Sequence, residues 1–343
     1  MRKKALMFTK VWSLFCFAIS LLAASPAPSA AETAALTYSN FFPPTHVQSQ
    51  LSESWCREVE KRTEGRVKIQ YFAGQTLTNA KQTYDSVIDG IADIGTSALA
   101  YTRGRFPVMS AVDLPFGYTS GKAATTVAND VYAKFSPKEF GDTKVLYFHA
   151  HGPGFLHTRD KAVRTLEDLK GLRIRSTGTS ADVVSALGGT PVPMPMPESY
   201  QSLQKGVVDG SMHPVESNKG WKLGEVTKNA TFAYSAAYTT TFFVVMNKAK
   251  WDKLAPGDQK IIEAINLEWA PMHGEAWDES DMDGLRFFQQ QGNTIFGLDA
   301  KESARWGAAV APLIDASAAE LDKNGLAGKS VVETIRESLK KFE

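Results

Sequence analysis

The feature that most constrains the fold is an alternation of strands and helices that runs through the chain twice. Leu36–Ser39 reads as a short apolar strand, followed by the turn Phe42-Pro43-Pro44. Val47, Leu51, Trp55 and Val59 then recur every fourth residue, as on one face of an amphipathic helix. Glu64-Gly65 closes that helix, with Gly65 as a left-handed cap. Val67, Ile69 and Tyr71 alternate with Lys68 and Gln70, the signature of a strand with one polar face. A second helix, from about Asn79 to Asp89 and ended by Gly90, leads into a strand at Ile91–Gly95. This β-α-β-α-β order predicts an α/β fold with a mostly parallel sheet covered by helices.

The same grammar returns later. Gly171-Leu172-Arg173-Ile174-Arg175 repeats the alternation of Gly65-Arg66-Val67-Lys68-Ile69. Thr179–Leu187 reads as a helix ended by Gly188-Gly189, and Val207-Val208-Asp209-Gly210 echoes Val87-Ile88-Asp89-Gly90. Two such halves imply two lobes facing each other across a cleft, although so short an echo also arises by chance where helices end in Asp-Gly. The length agrees, since 343 residues exceed the roughly 250–300 that one core organises. From about Asp258 to Gln291 the sequence is helical in composition, interrupted only by Pro271, Gly274 and Gly284. Such a helix spans ~45 Å, more than one lobe, so it is expected to kink near Pro271 and run along both.

The N-terminus stands apart from this pattern. Arg2, Lys3, Lys4 and Lys10 precede an apolar run from Val11 to Ala24, and a Pro/Ser/Ala stretch ends in Ser29-Ala30-Ala31. That order predicts a secretory signal peptide over residues 1–31, too short in its apolar run for the ~20 residues of a membrane helix. Cys16 leaves with it, and Phe15 before it is not the small residue of a lipoprotein site. The mature chain keeps only Cys56, so no internal disulfide is possible, and the bacterial periplasm is the expected compartment. Residues 32–152 with 240–279 are assigned to lobe I, and 153–239 with 280–343 to lobe II.

Enzymatic signatures are missing. Gly178-Thr179-Ser180-Ala181-Asp182 lacks the last glycine of a nucleophile elbow, and Gly152-Pro153-Gly154 does not continue as a dinucleotide fingerprint. No phosphate loop, H-E-x-x-H or C-x-x-C occurs. No enzyme activity, cofactor or metal is therefore expected. Cys56 reads as a small buried side chain rather than a nucleophile. His149 and His151 share one face of the strand Val145–His151 at a spacing that can ligate, but they and His157 lack acidic or thiol partners, which favours structural histidines. Thr239–Val245 is a β-branched and aromatic strand, read as buried and central. Basic and acidic side chains nearly balance, 38 against 37, without a basic block, which argues against a nucleic-acid partner. Arg175 stands out, because it ends a predicted parallel strand, where open α/β sheets bind ligands, and its planar fork matches a carboxylate. A surface arginine that caps a helix or pairs with Asp182 is the alternative.

The residues so far carry a family resemblance. Leu166-Glu167-Asp168-Leu169-Lys170-Gly171-Leu172-Arg173-Ile174-Arg175 resembles the "tpeDlkGlkiR" segment of TRAP-transporter solute-binding proteins of the DctP type. Val112-Asp113-Leu114-Pro115-Phe116, Tyr200–Gly210 and Asn247–Leu254 resemble further family segments in the same order. The resemblance implies a two-lobe periplasmic protein, type II-like, whose lobes are joined by crossing strands and a long kinked helix. It implies capture of an organic acid and its delivery to the membrane subunits of a sodium-driven permease, with the binding protein expected as a monomer.

Carried over residue by residue, Arg175 falls on the family's carboxylate-holding arginine. His213, in Gly210-Ser211-Met212-His213-Pro214, falls where the family usually has Asn in "GqeNP", and Phe155 where many members have a second arginine. Met196, Tyr101 and Asn40 fall on other cleft positions, and Glu216, Trp221, Tyr238 and Thr240 are added because they flank these segments. Losing the second arginine puts a multiply charged ligand in doubt. The expected ligand is a monocarboxylate with an aromatic or large apolar body, such as an aryl or indolyl acid or 2-oxo acid. The alternatives are a binding protein for C4-dicarboxylates or sugar acids, a component of an ATP-driven importer or sensor, and a periplasmic enzyme.

Overall fold

The computed structural model describes residues 33–342; the expected signal peptide lies outside them. The chain runs β1 (Ala34–Asn40), α1 (Val47–Arg62), β2 (Val67–Phe72), α2 (Thr83–Ile88), β3 (Ile94–Ala98), α3 (Gly121–Phe135) and β4 (Thr143–Ala150). It continues through β5 (Gly154–Thr158), α4 (Leu166–Leu169), β6 (Arg173–Ser176), α5 (Thr179–Ala186), β7 (Thr190–Pro193), α6 (Ser199–Gln204), β8 (Gly210–Pro214), α7 (Ser217–Gly220) and β9 (Asn229–Phe232). The last third holds β10 (Thr241–Asn247), α8 (Lys248–Lys253), α9 (Pro256–Gln290), β11 (Thr294–Gly297), α10 (Ala300–Val310), α11 (Pro312–Lys323) and α12 (Gly328–Leu339). Among the described residues no helix is long and apolar enough to cross a membrane.

Two sheets result, in the orders β2-β1-β3-β10-β4 and β11-β9-β5-β8-β6-β7. β1 pairs parallel with β2 and β3, and β6 pairs parallel with β7 and β8, as the two β-α-β repeats require. Each sheet also takes in an antiparallel strand that arrives from the other lobe, β10 in the first and β5 in the second. The crossing segments that feed them run side by side. Gly154 N–H donates to Tyr238 O at 2.8 Å, and Thr239 Oγ1 to His151 O at 2.6 Å. A Cβ on Gly154 would stand 2.3 Å from the Tyr238 ring, so only glycine permits this approach.

Apolar residues explain why the layers hold. Tyr84, Val112, Val127, Phe148 and Phe243 fill one face of the first sheet, and Tyr38, Trp55, Val59, Val244 and Trp269 the other. Leu156, Ile174, Val184, Met212 and Trp306 form the core of the second lobe. The α1 stripe is rotated from the expected one. Gln48, Ser52, Trp55, Cys56 and Val59 are buried, while Val47 and Leu51 lie at its margin. The rotation follows from polar packing on α9, where Gln48 Nε2 donates to His273 O and Trp55 Nε1 to Asn266 Oδ1.

α9 is a single 35-residue helix that continues through Pro271, about 52 Å long. It packs on α1, α3 and β4 of the first lobe and on α7 of the second. Asp278 accepts the backbone N–H groups of Gly121 and Lys122, and Asp281 Oδ1 that of Glu216. One boundary is corrected. Residues 280–343 do not all join lobe II, because α11 and α12 return to lobe I. Ile314, Leu321, Val331 and Ile335 share its core with Val127 and Phe243, whereas Trp306 and Val310 of α10 stay in the second core.

Candidate ligand-binding cleft

The carboxyl ends of β1 and β3 in one lobe face those of β6, β7 and β8 in the other, where open α/β sheets place their ligands. Between them lies a small cavity. The first lobe lines it with Phe41, Phe42, Tyr101, His151, Phe242 and Trp277. The second lobe contributes Arg175, Met196, Met212, His213, Glu216 and Trp221, and the crossing segment adds Tyr238 and Thr240. Eight of the ten residues singled out from the sequence therefore meet here: Arg175, His213, Tyr101, Met196, Glu216, Trp221, Tyr238 and Thr240.

Two do not line the cavity. Asn40 is buried beside it, its amide spent on Ser52 Oγ and on the Phe42 N–H, so it shapes the turn that presents Phe41 and Phe42. Phe155 sits directly across from His213 in the β5–β8 pair, but its ring stacks on Phe232 of β9, with centroids 4.5 Å apart. It packs with Val215, Ala237 and Leu285 under a separate hollow. The neighbouring strand β9 covers the side chain.

Arg175 is 2% exposed and held by backbone carbonyls: Nε donates to Met194 O at 3.1 Å and Nη1 to Met212 O at 3.2 Å. Nη2 is buried without a hydrogen-bond partner, an arrangement proteins rarely leave unfilled. Asp182 is not its counter-ion, because that carboxylate pairs with Arg103 at 2.7 Å. Arg175 is the sole Lys or Arg of the wall among the described residues, and Glu216 the sole carboxylate.

His213 Nδ1 lies 3.0 Å from Ser211 Oγ, and its ring stacks on His157 at 3.8 Å. Its Nε2 is also buried and unpartnered. Burial, then the neighbouring His157 and Arg175, hold the His213 imidazole well below the usual histidine range, so it is neutral. Burial lowers His157 to about 3 and His151 to about 4.

Glu216 belongs to a chain of contacts between lobes. Its Oε1 lies 2.7 Å from His46 Nε2, and its Oε2 accepts from Ser217 Oγ. His46 Nδ1 accepts the Gln48 N–H as the cap of α1, so Nε2 carries the ring hydrogen. The Tyr101 hydroxyl accepts the Met196 N–H at 3.1 Å, and Thr177 Oγ1 donates to Ala100 O at 3.3 Å. The lobes are thus drawn together around the cavity.

Aromatic rings make up most of the remaining wall. Phe41 stacks on Trp221 at 6.1 Å and 17°, and Phe242 on Trp277 at 5.5 Å and 19°. Phe41, Phe42, Phe242, Trp277 and His151 were not foreseen as site residues. Phe41-Phe42 ahead of Pro43-Pro44 was a usable signal, since two aromatics in a tight turn need a partner to bury them. Trp277 gave none, being one more apolar residue of a long helix. The histidines take structural contacts: Trp277 Nε1 donates to His149 Nδ1, and Asn218 Nδ2 donates to His157 Nε2. No three His, Cys, Asp or Glu among the described residues are grouped to hold a metal ion. Cys56 is buried and unpaired, and burial raises its thiol well above the usual range.

Residues 38–321 match the family described as bacterial extracellular solute-binding protein, family 7, DctP. A TRAP solute-binding protein from Rhodoferax ferrireducens, crystallised with copurified benzoate, is 31% identical with a TM-score of 0.85, covering 90% of this chain and 98% of its own. A marine metagenome TRAP protein specific for aromatic acid ligands, in complex with 3-hydroxybenzoate, is 30% identical with a TM-score of 0.86, covering 91% and 99%. The 2,3-diketo-L-gulonate-binding periplasmic protein YiaO of Escherichia coli is 30% identical over 211 residues, 60% of this chain and 63% of the relative. Fold, cleft and family match agree: this chain belongs to the DctP family and is a TRAP solute-binding protein, not an enzyme.

Proposed function

We propose that this protein works in the periplasm, captures an aromatic monocarboxylate between its lobes and hands it to the TRAP membrane permease. The observation that carries this reading is the free Nη2 of buried Arg175, facing a cavity walled by Phe41, Phe42, Trp221, Phe242 and Trp277. One guanidinium fits one carboxylate by two parallel hydrogen bonds. With no second Lys or Arg in the wall, a second carboxylate would be buried without a counter-charge. The relatives crystallised with benzoate and 3-hydroxybenzoate support the same class.

The likeness to a diketogulonate-binding protein favours a sugar acid as the second reading. Against it stands the wall itself, which presents the rings of Phe41, Phe42, Phe242 and Trp277 and spends Thr177, Glu216 and Ser217 on contacts within the protein. A thermal-shift screen decides, because a ligand that binds only the folded state raises its melting temperature. Benzoate, hydroxybenzoates, phenylpyruvate and indole-3-acetate are expected to stabilise. Stabilisation by succinate or gluconate, with the aryl acids inert, would overturn the assignment.

A further inference from the structure

The cavity has a second polar pole besides Arg175. His151 follows β4 and is 3% exposed in the cavity wall, among the edges and faces of Tyr238, Phe242 and Trp277. Its Nδ1 lies 2.6 Å from Gly152 O. A carbonyl oxygen only accepts, so Nδ1 carries the ring hydrogen and the neutral imidazole presents Nε2 as a bare acceptor. Burial keeps that ring uncharged.

Nothing among the described residues donates to this nitrogen. The Trp277 N–H beside it is already given to His149 Nδ1. Glu216 can only accept, and its two oxygens face His46 and Ser217. Besides the unpartnered His213 Nε2, the wall thus offers a donor on Arg175 and an acceptor on His151, with aromatic faces in the same wall. A plain aryl acid satisfies the first and leaves the second desolvated and unpaired. Sites built to pair a ligand hydroxyl discriminate strongly against the analogue that lacks it, because a buried polar group is then orphaned.

We propose that the ligand's apolar body carries its own hydrogen-bond donor, a hydroxyl or a ring N–H, and that His151 Nε2 is the acceptor selecting it. This inference rests on the carboxylate reading of Arg175.

The test is calorimetry of benzoate against its three hydroxy isomers, and of phenylacetate against mandelate, on the wild type and on His151→Phe. In the wild type at least one hydroxy acid is expected to bind tenfold or more tightly than its parent. In His151→Phe that gap should shrink below threefold, with a thermal melt of the variant reporting that the fold is kept. Should the variant not fold, the ¹⁵N resonance of His151 Nε2 in the wild type gives the answer. It should move when the preferred hydroxy acid binds and stay in place with the parent. Parents and hydroxy acids of equal affinity in the wild type, a gap that persists in His151→Phe, or an unmoved resonance would overturn the inference. Any of these can occur with benzoate still bound through Arg175, so the carboxylate reading is judged separately.

Discussion

Replacing Arg175 by lysine keeps the charge and removes the geometry. The guanidinium does three things at once: Nε holds Met194 O, Nη1 holds Met212 O, and Nη2 is left for a ligand. A single ammonium at the end of a flexible stem cannot reach both carbonyls and a carboxylate in one plane. Either one carbonyl loses its donor or the carboxylate loses its two-point contact. Removing one partner of a buried, hydrogen-bonded charge pair costs roughly 2–5 kcal/mol, much of it the penalty of the charge left behind. At 1.4 kcal/mol per factor of ten, Arg175→Lys should weaken binding about thirtyfold to several thousandfold. The folded state should survive, because the arginine packs at the cleft and not in a core cluster. Isothermal calorimetry with benzoate or the best hydroxybenzoate, alongside thermal melts of both proteins, measures the two quantities. A dissociation constant within threefold of wild type, from a variant that melts normally, would show that the carboxylate does not sit on Arg175.

Closure and acidity give two more tests. Because contacts such as Tyr101–Met196 and Thr177–Ala100 join the lobes, ligand should shrink the radius of gyration seen by X-ray scattering, and an unchanged radius at saturation would refute hinge closure. Gly178 has φ +48°, and a Cβ there would stand 2.7 Å from that of Ala100 in the opposite lobe. Gly178→Ala should lose of order 1–3 kcal/mol of stability to backbone strain and bind ligand more weakly, because the wedge acts only in the closed form. Wild-type affinity in that variant would count against closure at this contact. On acidification, His151 at about 4 and His157 and His273 at about 3 stay neutral in the fold but gain protons near pH 6.5 once unfolded. Their folded pKa values are depressed, so the unfolded state binds more protons at these rings between these limits and their contribution to stability falls as pH drops from about 6.5 towards 4. At pH 5 each costs about 2 kcal/mol relative to neutrality. Buried Asp113, raised to about 8, pulls the other way over the same range, so the check is histidine ring NMR across pH 7 to 5: His151, His157 or His273 rings that gain a proton in the folded protein above pH 5 would contradict their burial as neutral rings.

The sequence alone settled the parts of this protein that depend on neighbours along the chain. Apolar spacing marked β2, β6 and α1, because backbone geometry imposes periods of two and 3.6 on whatever is buried, helical composition marked α9, and the Asp-Gly and Gly-Gly pairs marked where helices stop. A strand end followed by a turn put Arg175 at a ligand-facing edge for the same local reason. Side-chain destination across the fold was not legible in that way. Phe155 and His213 occupy paired positions of adjacent strands, yet β9 covers one with Phe232 and leaves the other facing the cavity. α11 and α12 are amphipathic whichever lobe receives them, and only shape complementarity to α3 and the first sheet brings them back to lobe I. Trp277 and His151 lie 126 positions apart and reach one wall only because α9 and the end of β4 meet there. Local sequence fixes which face of an element is apolar. Which faces meet, and therefore which side chains are left to face a ligand, is decided by packing between residues far apart in the chain.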